Sequence, residues 1–162
     1  MKDKSRRFRD ALGHFATGVA IVTVLGPGGE PLGLTINSFA SVSLEPPLVL
    51  WSLDRNSDRF AAFMTTEHFT VNVLGDSNRD LSHRLSRKGE FTLDGIDLRA
   101  GGHGVPRLDC AIACFECKVE ARHDGGDHVI LVGRVLDFSH TGHGRPLLFY
   151  RGRYCVLSDA DD

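Results

Sequence analysis

Residues 33–50 read GLTINSFASVSLEPPLVL. Apolar positions alternate with Thr35, Asn37, Ser41 and Ser43, two prolines stop the pattern, and an apolar strand follows. Period-two alternation predicts a β-strand with one polar face. Thr35, Asn37 and Ser41 share that face because their spacing is even; Ser38 points the other way unless the chain bends before the prolines. Short hydroxyls and an amide have two uses here. They can simply coat an exposed strand face, or they can let backbone N–H groups approach the polar edge of an aromatic heterocycle. Composition alone leaves both open.

Upstream, VAIVTVL (19–25) is a β-rich strand, GPGGEP (26–31) a hairpin turn, and the quoted stretch the returning strand. Before it, Phe8, Ala11, Leu12, Phe15 and Ala16 recur at helical spacing and predict an amphipathic helix ended by Gly18. Downstream, LVLWSL (48–53) is nearly all apolar and predicts a central strand, DRNSDR (54–59) a loop, and Phe60, Phe63 and Met64 a short helix capped by Asn56 or Ser57. HFTVNVLG (68–75) alternates again. A second helix is predicted from near Asp76 to about Arg87, with Leu81 and Leu85 inward and Gly89 as its stop. Residues 90–108 read as Gly-rich and irregular. Two strands, CAIACFECKVEA (110–121) and HVILVGRVLDF (128–138), are joined by RHDGGD, and LLFY and YCVL close the chain around Arg151-Gly152-Arg153. The DADD tail (159–162) is expected to fray. Six or seven strands joined mostly by hairpins imply an antiparallel sheet, closed or partly closed so that its edges are hidden.

The totals exclude several classes. At 162 residues the chain is sized for a single domain, residues 1–162. A formal net charge of -2 gives no strong field to attract nucleic acid or an anionic membrane. No apolar run has the roughly 20 residues of a spanning helix, and the charged start MKDKSRRFRD does not resemble a signal peptide. A cytoplasmic location is expected. Four cysteines are present; Cys110-x3-Cys114-x2-Cys117 lacks a second pair for zinc, with only Cys155 in addition, and the thiols are expected to act as small apolar filler. No metal site is predicted.

Neither GPGGEPLG nor any other glycine cluster has the ending of a phosphate loop or a Rossmann turn. Asp54-Arg55-Asn56-Ser57-Asp58-Arg59 lies between a strand and a helix. There free N–H groups, the Arg55 fork and the Ser57 hydroxyl could seat a phosphate, or the loop could be merely capped and solvated. His123-Asp124-Gly125-Gly126-Asp127-His128 is a tight turn rather than a metal cage. His128, at the start of the next strand, could reach a site at the sheet's mouth and hydrogen-bond a carboxamide or phosphate, or supply a proton. Phe149, Tyr150 and Tyr154 flank a basic turn, either as core or as stacking surfaces.

FRDALGHFATGVAIVT (8–23), TINSFASVSLEPPLVLWSL (35–53), HFTVNVLG (68–75), GGDHVILVGRV (125–135) and PLLFYRGRY (146–154), in this order, make the chain similar to the flavin reductase-like domain family across about residues 8–157. These are the NAD(P)H:flavin oxidoreductase components of two-component flavin-dependent monooxygenases. The resemblance implies a mainly β fold with short helices, an FMN-binding split β-barrel of Greek-key antiparallel type, usually a homodimer with flavin near the interface. It implies reduction of free FMN or FAD by hydride transfer from NADH or NADPH, with the product passed to a partner monooxygenase. It assigns Thr35, Ile36, Asn37, Ser38 and Ser41 to the isoalloxazine and ribityl parts. Ser52, Leu53, Asp54, Arg55, Asn56 and Ser57 go to the phosphate end, His128 to the nicotinamide as the catalytic residue, and Phe149, Tyr150, Arg151 and Tyr154 to the ring or the dinucleotide. Arg145, Arg151 and Arg153 are candidates for a 2′-phosphate. Rivals are a cobalamin-related reductase, an oxidase that keeps its flavin, a flavin- or heme-binding protein without turnover, and a structural dimeric barrel.

Overall fold

The structure, a computed structural model, describes residues 2–158; the DADD tail lies outside the described residues. The chain forms α1 (Lys2–Leu12), β1 (Thr17–Gly18), β2 (Ala20–Leu25), β3 (Pro31–Ile36), β4 (Ala40–Leu44), β5 (Pro47–Asp54), α2 (Phe60–Thr65) and β6 (His68–Val73). A 3-10 turn (Asp76–Asn78) leads into α3 (Arg79–Leu85). Then follow β7 (Leu98–Ala100), β8 (Pro106–Leu108), the long pair β9 (Ala113–Gly125) and β10 (His128–His140), and a last hairpin of β11 (Leu148–Tyr150) and β12 (Arg153–Cys155).

Seven strands make one antiparallel sheet in the order β3-β2-β6-β9-β10-β5-β4. β3 and β4 are consecutive in the chain yet lie at opposite edges. Laid flat, those edges would be about 29 Å apart, at roughly 4.8 Å per strand. The connecting residues 37–39 reach at most about 14 Å between Ile36 and Ala40. The sheet must therefore roll until its edges meet. The seam is visible where the Ser52 N–H donates to Ser38 Oγ at 3.0 Å. The result is a barrel left open along one line, the split antiparallel barrel expected from the sequence.

Both faces of the rolled sheet are covered. Inside, Trp51, Phe63 and Phe69 pack edge to face, at 5.7 and 5.9 Å between ring centres, among Val22, Val24, Val71 and Leu131. Outside, α3 and the segment after it bring Leu85, Leu93 and Leu108 against Ile21, Leu74 and Leu147. A sheet covered twice explains why His68–Val73 does not show one wet face: Phe69, Thr70, Val71 and Asn72 are all buried. Asn72 is satisfied by Ile21 O, Thr23 Oγ1 and the Leu108 N–H. Cys114 and Cys117 are buried on the same strand system, and burial pushes the Cys117 thiol up to about 12, so it is protonated at neutral pH.

Several sequence expectations are corrected. The first helix stops at Leu12 rather than Gly18, and its Phe8 and Leu12 face solvent instead of the core. Thr17–Gly18 is already strand, paired with Leu148 and Phe149. The second helix is split at Asn78 and ends at Leu85. The segment 90–108 is not wholly irregular: β7 and β8 pair within it. Three residues of the sheet hold them: Thr23 Oγ1 donates to Pro106 O, Asn72 Oδ1 accepts from the Leu108 N–H, and Glu116, buried at 2% exposure, accepts from the Gly102 N–H at 2.9 Å and Arg107 Nη1 at 3.0 Å. The RHDGGD turn is tighter than expected, since His128 pairs with Gly125 and only Gly126, at positive φ, and Asp127 turn the corner.

Candidate functional site

The seam opens into two adjoining lobes. The first, of about 330 Å³, is lined by Leu34 to Ser38, Ser52, Asp54, Asn56 to Arg59, Ser86, Lys88 and His128. The second, of about 800 Å³, is lined by Val19, Thr35, Ile36, Asn37, Arg79, Asp80, His83, Ser86, Phe149, Gly152, Arg153 and Tyr154. Thr35, Ile36, Asn37 and Ser86 belong to both. Each volume falls in the range of about 300–1,000 Å³ typical of small-molecule sites.

The chain ends β3 at Ile36 because residues 37–39 must cross to the other edge of the sheet. That bend turns Ser38 into the first lobe, where its hydroxyl accepts from the Ser52 N–H. Thr35 Oγ1 donates to Ser82 O at 2.8 Å, so it fastens α3 beside the shared border. Ser82 Oγ in turn meets Tyr154 Oη at 2.8 Å, and Arg79 lies over the Tyr154 ring at 5.6 Å. The β11–β12 hairpin is a two-residue turn with positive φ at Arg151 and Gly152, and it stands Phe149 against Tyr154 at 5.6 Å. The second lobe is thus walled by aromatic rings and carries Arg79 and Arg153 against one carboxylate, Asp80.

Of the residues expected at a site, Thr35, Ile36, Asn37, Ser38, Ser52, Asp54, Asn56, Ser57, His128, Phe149 and Tyr154 line a lobe. His128 Nδ1 is 2.8 Å from Asp127 Oδ1, which leaves Nε2 for a ligand; the same contact holds the Asp127 carboxyl below the usual carboxylate range. Ser41, Leu53, Arg55, Tyr150 and Arg151 line neither lobe. Ser41 lies on the β4 edge before a bulge, because the bend at 37–39 breaks its register with Thr35 and Asn37. Leu53 is fully buried in the core. Arg55 turns to the hairpin tip, where it pairs with Asp124 and donates to Gly126 O at 3.1 Å. The Tyr150 ring meets His14 edge to face, and the Arg151 N–H is taken by Gly13 O.

Sequence reasoning missed Arg59, Arg79, Asp80, His83, Ser86 and Lys88. A signal existed for three of them: Arg79, His83 and Ser86 recur at i, i+4 and i+7, a polar stripe beside the inward Leu85. Burial pushes the Arg59 guanidinium down from its ordinary value, against the raising pull of Asp58 and Glu90.

Residues 12–158 match the family model described as flavin reductase like domain. The chain belongs to the flavin reductase-like domain family. Within that family it is 47% identical over 152 residues to FMN reductase (NADH) SmoA of Agrobacterium fabrum, covering 94% of this chain and 86% of that protein. It is 42% identical over 149 residues to the flavin-dependent monooxygenase reductase subunit HsaB of Rhodococcus jostii, covering 92% and 76%. Among solved structures, the NADH:FAD oxidoreductase SgcE6 of Streptomyces globisporus, in complex with NAD and FAD fragments, superposes at a TM-score of 0.92. It is 31% identical, over 100% of this chain and 98% of that one. No helix among the described residues of this family member is long and apolar enough to cross a membrane.

Proposed function

We propose that this protein reduces free FMN or FAD with NADH or NADPH and delivers the reduced flavin to a partner flavin-dependent monooxygenase. In this reading residues 8–157 act as one catalytic domain, and the protein works as a homodimer in the cytoplasm. The observation that carries it is that two ligand-sized lobes adjoin, with Thr35, Ile36, Asn37 and Ser86 lining both. A binding protein for flavin alone would leave the larger lobe without a role. Exposed Leu44 and Phe138, at 92% and 66%, support association of two copies.

The chemistry that the two coenzymes supply is transfer of a hydride from a dihydronicotinamide to an isoalloxazine ring. The chain has to hold the rings in contact and needs no nucleophile of its own. Aligning two reactants in this way can remove about 7–11 kcal/mol from a barrier. Small side chains at Thr35 and Asn37 keep ring faces open at the shared border. Phe149 and Tyr154 offer stacking surfaces in the second lobe, where Arg79 and Arg153 meet the phosphates of a dinucleotide. Ser52, Asn56 and Ser57 offer hydrogen bonds in the first lobe, and Lys88 offers the charge for a flavin phosphate. His128 lines only the first lobe, beside Asp54, so it meets the nicotinamide where that ring crosses the shared border onto the flavin, and holds its carboxamide through Nε2.

The test is steady-state oxidation of NADH and NADPH by the purified protein with FMN, FAD or neither. Many turnovers that depend on added flavin are expected. Tight flavin binding without consumption of reduced nicotinamide would overturn the reading.

A further inference from the structure

Arg59 is the most buried charge beside the first lobe, with a side chain 3% exposed. Its Nη2 is committed to the protein, while Nε, 3.7 Å from Asp58 Oδ1, has no hydrogen-bond partner among the described residues. Nη2 donates to Arg87 O at 2.5 Å and to Glu90 O at 2.6 Å. The preceding residue completes the grip, since an Asp58 carboxylate oxygen accepts from the Gly89 N–H at 2.5 Å. The Phe91 ring lies 5.6 Å from the Arg59 guanidinium carbon, and Phe91 O accepts from the Gly33 N–H at 2.9 Å. Residues 87–91 are therefore tied on one side to the start of α2 and on the other to β3.

Lys88 sits inside this harness, between the two carbonyls that Arg59 holds, and it faces the first lobe. It makes no ion pair among the described residues, whereas Arg59 is neighboured by Asp58 at 3.7 Å. The segment itself is exposed; apart from local bonds, with the Arg87 N–H donating to Arg84 O at 3.1 Å and Arg87 Nη2 meeting His83 Nδ1 at 3.1 Å, the harness is what holds it over the lobe. A flexible ammonium binds a phosphate well only when its backbone is already placed, because ordering it costs conformational entropy.

We propose that Asp58 and Arg59 are positioning residues that fix Lys88 over the first lobe and so make the protein discriminate phosphorylated flavins from riboflavin. This rests on the flavin reading given above, and it assigns to Arg59 a role that acts through another residue rather than on the ligand.

The test is fluorescence titration of wild type, Arg59→Met, Arg59→Lys, Lys88→Gln and the double variant Arg59→Met/Lys88→Gln with FMN and, separately, riboflavin. Arg59→Met is expected to weaken FMN about tenfold, the worth of one charge-assisted hydrogen bond, while riboflavin moves less than about twofold. Lys88→Gln should do the same, the double variant should be no worse than Lys88→Gln, and Arg59→Lys should recover part of the loss. Equal weakening of FMN and riboflavin would overturn the inference, and so would multiplying losses in the double variant. If circular dichroism finds Arg59→Met unfolded, Arg59→Lys and Asp58→Asn carry the same comparison: selective loss of FMN supports the inference, and equal loss of both flavins overturns it. Wild type that binds neither flavin overturns the flavin reading and this inference together; wild type that binds FMN, with variants that keep its preference over riboflavin, overturns this inference alone.

Discussion

A single methyl group added at Gly133 probes how tightly the barrel interior is closed. Gly133 lies on β10, hydrogen-bonded to β9 on one side and β5 on the other. A Cβ there would stand 2.5 Å from Phe69 Cζ and 3.0 Å from Cys117 Cβ. Carbon atoms prefer about 3.5–4.0 Å, so the ring would have to retreat by about 1 Å. Phe69 has nowhere to go: it is fully buried and packed edge to face on Trp51. The strand cannot move either without giving up ladders on both sides. Overpacking of this kind costs about 1–3 kcal/mol. For a chain of this length each kcal/mol lowers Tm by about 2–4 °C, so Gly133→Ala should melt about 2–12 °C below wild type. Gly18→Ala is the matched control, because a Cβ at Gly18 meets nothing within 4 Å. Thermal unfolding followed by circular dichroism reads both. Equal melting temperatures for Gly133→Ala and Gly18→Ala would refute the packing argument.

Further outcomes are expected at the site and under it. Asn37→Trp, a bulky side chain on the shared border, should abolish flavin uptake in a fluorescence titration while far-UV circular dichroism stays unchanged; Ser41→Leu, outside both lobes, should bind as wild type does. His128→Ala should raise KM for the reduced dinucleotide by about tenfold, the worth of one lost hydrogen bond to a bound group, with little change in flavin Kd. Equal loss of both would remove His128 from the nicotinamide end. Glu116→Ala should cost about 2 kcal/mol in urea unfolding, since it removes the carboxylate that accepts from the half-buried Arg107 guanidinium and from the Gly102 N–H. A midpoint within error of wild type would show that Thr23 and Asn72 hold the β7–β8 hairpin without Glu116.

The strands of the sheet were legible because their ends are punctuated: GPGGEP after β2, the paired prolines where β5 begins, and Gly126 between β9 and β10. The family resemblance made the open barrel legible as well, and the three-residue link between opposite edges gives that shape its physical reason. Contacts between residues distant in sequence were not legible. β7 and β8 are three residues each, too short to show a period, and they are pinned by Thr23, Asn72 and Glu116 from other strands. Arg55 and Arg59 look alike on paper. What separates them is that one finds Asp124 on a hairpin tip 69 residues away and the other finds two carbonyls about thirty residues on. Even spacing put Ser41 with Thr35 and Asn37, but a polar ribbon keeps one face only while it stays straight, and this one bends at 37–39. The stripe of α1 shows the converse: helical spacing of apolar residues was real, yet it faces solvent in the single chain.

Because Thr35, Ile36 and Asn37 border both compartments, mutation there alters affinity for two coenzymes at once. Evolution of a new nicotinamide preference must therefore work on the far banks, at Arg79, Asp80, His83 and Arg153. A change of flavin taste must work at Asn56, Ser57 and Lys88. Related proteins should diverge at these outer positions and stay nearly fixed along the three that lie between.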